Sequence, residues 1–196
     1  MSFCEILLNN GIEYLTHFTN IENLESILTN GIRSVDYMKK HKIEYNNNDE
    51  YRFDNQLDLI SISLNEINYK MLYKKQVKNK NQINSWVILK LKTSLLDDKK
   101  EKVYFCEKNA ASSEVNSILR KNRKELNTKE AFMNMLNSND NQKEILVEET
   151  IESYYIESII VRNISDFDLV KYVLRKCNKN IPVVCKQEMF TEKKWV

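Results

Sequence analysis

The stretch Gln142-Lys143-Glu144-Ile145-Leu146-Val147 sets an acid at the head of an apolar run, two residues after a glutamine. Asn137 to Gln142, just before it, is polar and turn-forming, and Ile145 to Val147 has the composition of a buried strand. Glu144 is therefore expected where a loop enters a sheet, anchored by the strand and facing whatever the loop encloses. Charge-stabilising chemistry needs that kind of rigid placement. A glutamate beside a strand is more commonly a solvated edge charge, so the weight given to this one comes from the rest of the chain.

Downstream, Ile156 to Val161 is another apolar strand, Asp166 to Lys176 an amphipathic helix, and Val183 to Lys186 a last short strand. Upstream, Thr128 to Leu136 places Ala131, Phe132, Met135 and Leu136 at helical spacing, which reads as core packing. Before it, Glu114 to Leu126 is a helix carrying Arg120, Lys121, Arg123 and Lys124, a local basic cluster that is either a nucleic-acid footprint or a solvated face. Lys102 to Cys106 and Trp86 to Leu91 are expected strands, with Asp97 to Lys102 as the turn between them. After Cys106, Glu107-Lys108-Asn109-Ala110-Ala111-Ser112-Ser113 is small and polar at a strand's end, where a ligand finds room.

Toward the amino terminus, Ile60, Ile62 and Leu64 alternate with Ser61 and Ser63 as in a half-buried strand. Asn68 to Tyr73 is a short helix, and Lys74, Lys75, Lys78 and Lys80 follow as a solvated loop or a phosphate-facing patch. Val35 to Leu57 is polar and without period, a long loop of the kind that often serves as a lid or substrate loop. Arg52 lies near its end, where a guanidinium fork could grip a diphosphate. Tyr14 to Thr19 is a strand. Thr19 and Glu22 form a capping box ahead of a helix with Ile21, Leu24, Ile27 and Leu28 on its buried face. Asn30-Gly31 ends that helix, and His17 and Thr19 fall where strand gives way to helix, a place that favours anions.

Composition narrows the classes. A chain of 196 residues suits one domain over 1–196 and can bury a core without disulfides or metal. A net charge of +2 supplies no overall cationic field, so any nucleic-acid contact must come from local patches. Only two glycines, Gly11 and Gly31, are present, and Rossmann and P-loop phosphate cradles need several close together. A dinucleotide would have to be held by side chains and strand ends. Cys4, Cys106, Cys177 and Cys185 are scattered, with only His17 and His41 to assist them, so no metal site and four reduced thiols are expected. No apolar run reaches the ~20 residues of a membrane span and Met1 to Asn10 lacks signal-peptide features. A cytoplasmic monomer is expected. Strands and helices mix without regular alternation, which makes the class α+β.

Taken in order, the segments His17-Phe18-Thr19-Asn20-Ile21-Glu22-Asn23-Leu24, Arg52-Phe53-Asp54 with Ile60 to Leu64 and Asn68, Tyr69 and Met71, Asn109-Ala110-Ala111-Ser112-Ser113, and Gln142 to Val147 resemble the DarT family of bacterial toxins. These transfer ADP-ribose from NAD to bases in single-stranded DNA. The resemblance spans about Tyr14 to Val161. Asn20 stands where many relatives have histidine, and Lys143 where a small residue is common between the Gln and the Glu. The family implies an ADP-ribosyltransferase fold of two small packed sheets with flanking helices around a cleft, NAD as donor with no metal, single-stranded DNA as acceptor and a macrodomain antitoxin as partner. It further implies Glu144 and Arg52 as catalytic residues, and His17, Thr19, Asn23 and Arg52 as NAD contacts. Gln142, Tyr69 and Asn109 are implied on the acceptor side. Two rival readings are an RNA- or protein-directed transferase and a noncatalytic binding module on the same fold.

Overall fold

The computed structural model of the chain describes residues 1–43, 56–78 and 85–191, and of 74–78 it describes the backbone only. In order the elements are α1 (Phe3–Asn9), β1 (Tyr14–Asn20), α2 (Leu24–Asn30), β2 (Ile32–Arg33), α3 (Val35–Lys40), β3 (Leu59–Leu64), α4 (Tyr69–Lys78), β4 (Trp86–Lys92), α5 (Leu95–Asp98), β5 (Val103–Cys106), α6 (Ser113–Asn122), α7 (Lys129–Asn137), β6 (Glu144–Glu148), β7 (Thr150–Ile151), β8 (Ile156–Val161), α8 (Ile164–Lys176) and β9 (Val183–Cys185). The α+β class expected from the sequence is the one observed.

Seven strands form one sheet in the order β5-β6-β3-β1-β4-β8-β9, and β2 pairs with β7 apart from it. All neighbours are antiparallel except β8 and β9. The sheet has two wings, β5-β6-β3 and β1-β4-β8-β9, which correspond to the two small sheets implied by the resemblance. They are joined along one edge rather than separate. Their junction is narrow, because β1 and β3 pair only through Leu15↔Leu64 and Thr16↔Ser63. Asn65 clasps the junction from the turn after β3: its side-chain oxygen accepts from the backbone of Glu13 at 3.2 Å, and its amide donates to the Gly11 carbonyl at 3.1 Å.

Alternation along the strands sorts the side chains onto two faces. On the inner face Leu15, Leu89 and Ile159 of one wing and Ile62, Phe105 and Ile145 of the other share a single core with helices α1, α2, α7 and α8. The outer face is apolar only at its two ends. At one end Leu59, Leu146 and Tyr104 pack under Val115 and Leu119 of α6. At the other end Trp86, Ile88 and Ile160 pack under Leu72 of α4 with Phe190. Between these ends the same face carries the polar residues Thr16, Ser61, Ser63 and Glu144.

Three local expectations need correction. The helix expected over Asn68 to Tyr73 runs on to Lys78, so Lys74, Lys75 and Lys78 belong to α4 and not to a following loop. Thr19 does not cap a helix. It is buried within β1, opposite Val87, and Asn20 takes the capping position instead, its side-chain oxygen accepting from the Glu22 backbone at 2.9 Å at the head of a short 3-10 turn, Ile21–Asn23. The strand runs one residue further than expected because β4 supplies ladder partners through Trp86↔Asn20, and ladder bonds outweigh a cap. The helix expected over Glu114 to Leu126 also ends early, at Asn122, and continues as a 3-10 turn, Arg123–Leu126. Gly31 ends α2 with φ 82° and ψ 172°. The positive φ was expected. The extended ψ places the residue in a region that only glycine occupies freely. A Cβ there would lie 2.6 Å from the Ile151 carbonyl oxygen, so β7 can approach only a glycine.

Candidate active site around Glu144

Glu144 is the first residue of β6 and is 7% exposed. Its pairing with Cys106 is the last rung of the β5–β6 ladder, so the acid stands at a strand end and its side chain falls on the outer face with Leu146. Inward-facing Ile145 and Val147 are fully buried and hold that register, since a slip of one residue would exchange the faces.

Among the described residues, two donors grip the carboxylate from different elements. The backbone N–H of Ala110 donates to Oε1 at 2.6 Å, and the Ser61 hydroxyl of β3 donates to Oε2. Bonds of this kind to an ionised carboxylate are charge-assisted and stronger than those between neutral groups. Ala110 is itself fixed by the turn after β5, in which the Asn109 side-chain oxygen accepts from Ala111 N–H at 2.9 Å and the Asn109 carbonyl accepts from Ser112 N–H at 2.9 Å.

His17 approaches the same place from β1. Its Nδ1 lies 3.0 Å from the Ser61 carbonyl oxygen, just beyond the point where the β1–β3 ladder ends. With a carbonyl as acceptor, Nδ1 carries the proton, which in the neutral ring leaves Nε2 as the acceptor nitrogen. Thr19 and Asn23 are tied to each other, the Asn23 amide donating to the Thr19 hydroxyl at 3.1 Å. The structure thus gathers Glu144 and His17 on the two sides of Ser61, with Thr19 two residues along the His17 strand. Arg52 lies outside the described residues, as does Lys80, and the side chains of Lys74, Lys75 and Lys78 also lie outside the description.

The acceptor-side candidates divide. Gln142 sits in the turn before β6 rather than on the strand, with its N–H donated to the Asp140 carboxylate at 2.7 Å. Strand alternation therefore does not set its direction. Lys143, between Gln142 and Glu144, reaches back to the end of α7 and donates to the Leu136 and Ser138 carbonyls at 3.0 and 2.8 Å. Burial lowers its pKa below the usual lysine value. Asn109 spends its side-chain oxygen on its own turn, and the adjacent backbone makes the contact to Glu144. Tyr69 packs in the Trp86 cluster and donates its hydroxyl to the Glu188 carbonyl at 3.1 Å, and burial pushes its pKa up to about 12.

Arg123 is likewise committed. Its Nη1 donates to Asp58 at 2.6 Å and to Glu148 at 3.1 Å, and the Tyr104 hydroxyl donates to the same Glu148 oxygen at 2.5 Å. This corrects its place in the expected basic cluster, of which Arg120, Lys121 and Lys124 remain exposed. The network ties the head of β3 to the tail of β6. Arg123→Ala is accordingly expected to lower stability by about 1–2 kcal/mol, the worth of a partly exposed charged pair with hydrogen bonds, and to leave oligonucleotide affinity unchanged. Urea unfolding and an oligonucleotide titration check the two halves.

Residue patterning alone did not single out Ser61 or Ala110 as contacts of Glu144. The available signals were the Ser61/Ser63 alternation and the small residues after Cys106. A backbone N–H leaves no side-chain trace in a sequence.

A family model described as ssDNA thymidine ADP-ribosyltransferase, DarT, matches residues 16–191. No curated protein matches by sequence. Among solved structures, Thermosipho africanus DarTG in complex with ADP-ribose superposes with a TM-score of 0.63 at 19% identity, covering 91% of this chain and 51% of that one. Thermus sp. 2.9 DarT in complex with NAD+ gives a TM-score of 0.63 at 13% identity, covering 92% of this chain and 98% of that one. The same Thermus protein in complex with ADP-ribosylated ssDNA gives 0.63 at 13% identity, covering 92% and 97%. The chain spans about half the length of the Thermosipho protein and nearly all of the Thermus protein. At these identities the likeness is one of fold.

Proposed function

The chain belongs to the DarT family, and on that premise we propose that residues 1–196 form one transferase domain that moves ADP-ribose from NAD to thymidine in single-stranded DNA. The observation that carries this reading is the buried Glu144 carboxylate, held by Ala110 N–H and the Ser61 hydroxyl, with the His17 ring bonded to the Ser61 carbonyl. A module that only binds nucleotides has no use for an acid fixed in this way.

In the reaction, the bond between the nicotinamide nitrogen and the anomeric carbon of NAD breaks. Its electron pair leaves with nicotinamide, which departs neutral, and positive charge builds on the anomeric carbon and ring oxygen. Carboxylates stabilise such oxocarbenium-like states in glycoside hydrolysis, and Glu144 supplies the same field here. A ring nitrogen of the base then bonds to that carbon and gives up its proton to solvent. A guanidinium stays protonated at any working pH, so Arg52 assists by charge on the diphosphate or on the deprotonating base and does not itself take the proton. His17 and Thr19 orient the nicotinamide-side ribose and amide, Asn23 the other end of the dinucleotide, and Gln142 lies on the acceptor side. No group of three metal-ligating side chains occurs among the described residues, and nothing in this sequence of steps calls for one.

The biological reading is a toxin that blocks replication, acting in the cytoplasm and neutralised by a macrodomain partner. A likeness to a DarTG structure supports the pairing. Among the described residues no helix is long and apolar enough to cross a membrane. The deciding experiment incubates the protein with labelled NAD and separate pools of single-stranded DNA with and without thymidine, RNA, and protein. Label confined to the thymidine-containing strands is the expected result, and label in RNA or protein instead would transfer the assignment to a different acceptor. For the donor site, Arg52→Ala is expected to weaken NAD binding by about 1.5–3 kcal/mol, the usual worth of a hydrogen bond to a charged group. Unchanged affinity by calorimetry would remove Arg52 from that role.

A further inference from the structure

Ser61 contributes two groups to the centre. Its hydroxyl donates to Glu144 Oε2, and its carbonyl accepts from the His17 ring at 3.0 Å. The residue is itself held by the sheet, opposite Leu146 in the β3–β6 ladder and between buried Ile60 and Ile62. We propose that Ser61 is a positioning residue for ADP-ribose transfer: its hydroxyl locks the plane of the Glu144 carboxylate while its carbonyl sets the direction and tautomer of His17. This rests on reading Glu144 as the acid at the breaking glycosidic bond.

The physical case begins with the freedom of a glutamate side chain. Ala110 N–H grips one oxygen from the turn after β5. The Ser61 hydroxyl grips the other oxygen from β3, and donors on both oxygens from separate elements fix the plane of the carboxylate. A serine hydroxyl has one proton to donate, and here it is spent on Glu144. Stabilisation of a developing charge depends on placement to within a fraction of an ångström, so loss of the lock lowers turnover more than it lowers NAD affinity. A hydrogen bond that served only to hold the fold together would do neither selectively.

The test measures kcat and KM for NAD, with a thymidine-containing single strand as acceptor, in Ser61→Ala, Ser61→Thr, Ser61→Val, Glu144→Gln and the Ser61→Ala/Glu144→Gln pair. Ser61→Ala is expected to lower kcat about tenfold to a hundredfold, the equivalent of one hydrogen bond to a charged group, with KM for NAD within about twofold of the parent. Thr retains the hydroxyl and a β-compatible shape, whereas Val has the same shape without it. Thr should therefore restore most of the rate and Val should not, a comparison that holds even if Ser61→Ala folds poorly. Adding Ser61→Ala to Glu144→Gln should cost nothing further, because the two act as one unit. Equal rates for Thr and Val, an unchanged kcat in Ser61→Ala, or losses that add in the double variant would each overturn the positioning role while leaving Glu144 in place. Near-native turnover in Glu144→Gln would instead remove the reading on which the inference stands.

Discussion

Glu144→Gln is expected to lower the rate of ADP-ribose transfer about a hundredfold to a thousandfold, roughly 3–4 kcal/mol of barrier, the usual cost of losing one preorganised electrostatic group. NAD affinity should change little. The glutamine amide keeps the size of the side chain, and its oxygen can still accept from Ala110 N–H, whose 2.6 Å contact to Oε1 is set by the turn after β5. What disappears is the negative charge, and that charge matters most when positive charge appears on the sugar. An interaction stronger in the transition state than in the bound substrate shows in kcat rather than in affinity. Folding should survive, since Ile145 and Val147 carry the register of β6 and are untouched. In cells the variant should lose toxicity and remain folded and NAD-binding. Near-native transfer by this variant would end the assignment of Glu144 as the acid.

Phe132→Ala is expected to cost about 3–5 kcal/mol of stability, the range for emptying a buried aromatic site. Phe132 of α7 is fully buried, and its ring lies 4.8 Å from those of both Phe3 of α1 and Phe105 of β5. Phe3 and Phe105 are themselves 5.0 Å apart, so three rings close on one another. Removing one leaves a cavity that the other two cannot fill, because each is held by its own backbone. Phe105 pairs with Ile145 across the β5–β6 ladder, which places this trio directly beneath the strand that carries Glu144. A loss of this size is a large share of the ~5–15 kcal/mol that holds a domain together. Below the unfolding midpoint, however, transfer per folded molecule should persist, because the Ser61 and Ala110 contacts do not involve the ring. A urea midpoint close to the parent's would mean that α7 can close over the gap.

These two expectations draw on different sources. The position of Glu144, its apolar successors and the helical spacing of Ala131, Phe132, Met135 and Leu136 are all written in the local pattern. So are the strands around Ile60 to Leu64, Trp86 to Leu91 and Ile156 to Val161, since alternation and apolar runs follow directly from which side of a sheet or helix is buried. Expectations failed where a long-range partner competed with a local preference. Thr19 carries a capping-box pattern, yet β4 offers it a ladder partner and it stays in the strand. Arg123 belongs to a run of basic residues, yet Asp58 and Glu148, distant in sequence, claim its guanidinium.

By itself the sequence determined the α+β class, the exclusion of a glycine-rich dinucleotide loop, the acid at a strand entrance, and the ordered motifs by which the family can be recognised. All of these are carried by residue type and short spacing, which a linear chain displays openly. Tertiary structure alone decided that the two wings meet through just two residue pairs, that Ser61 stands between His17 and Glu144, and that Ala110 offers its N–H to the acid. Each of those depends on strands separated by tens of residues arriving in one register, and on a backbone group that every residue but proline possesses. No residue type marks such a contact until the sheet has formed.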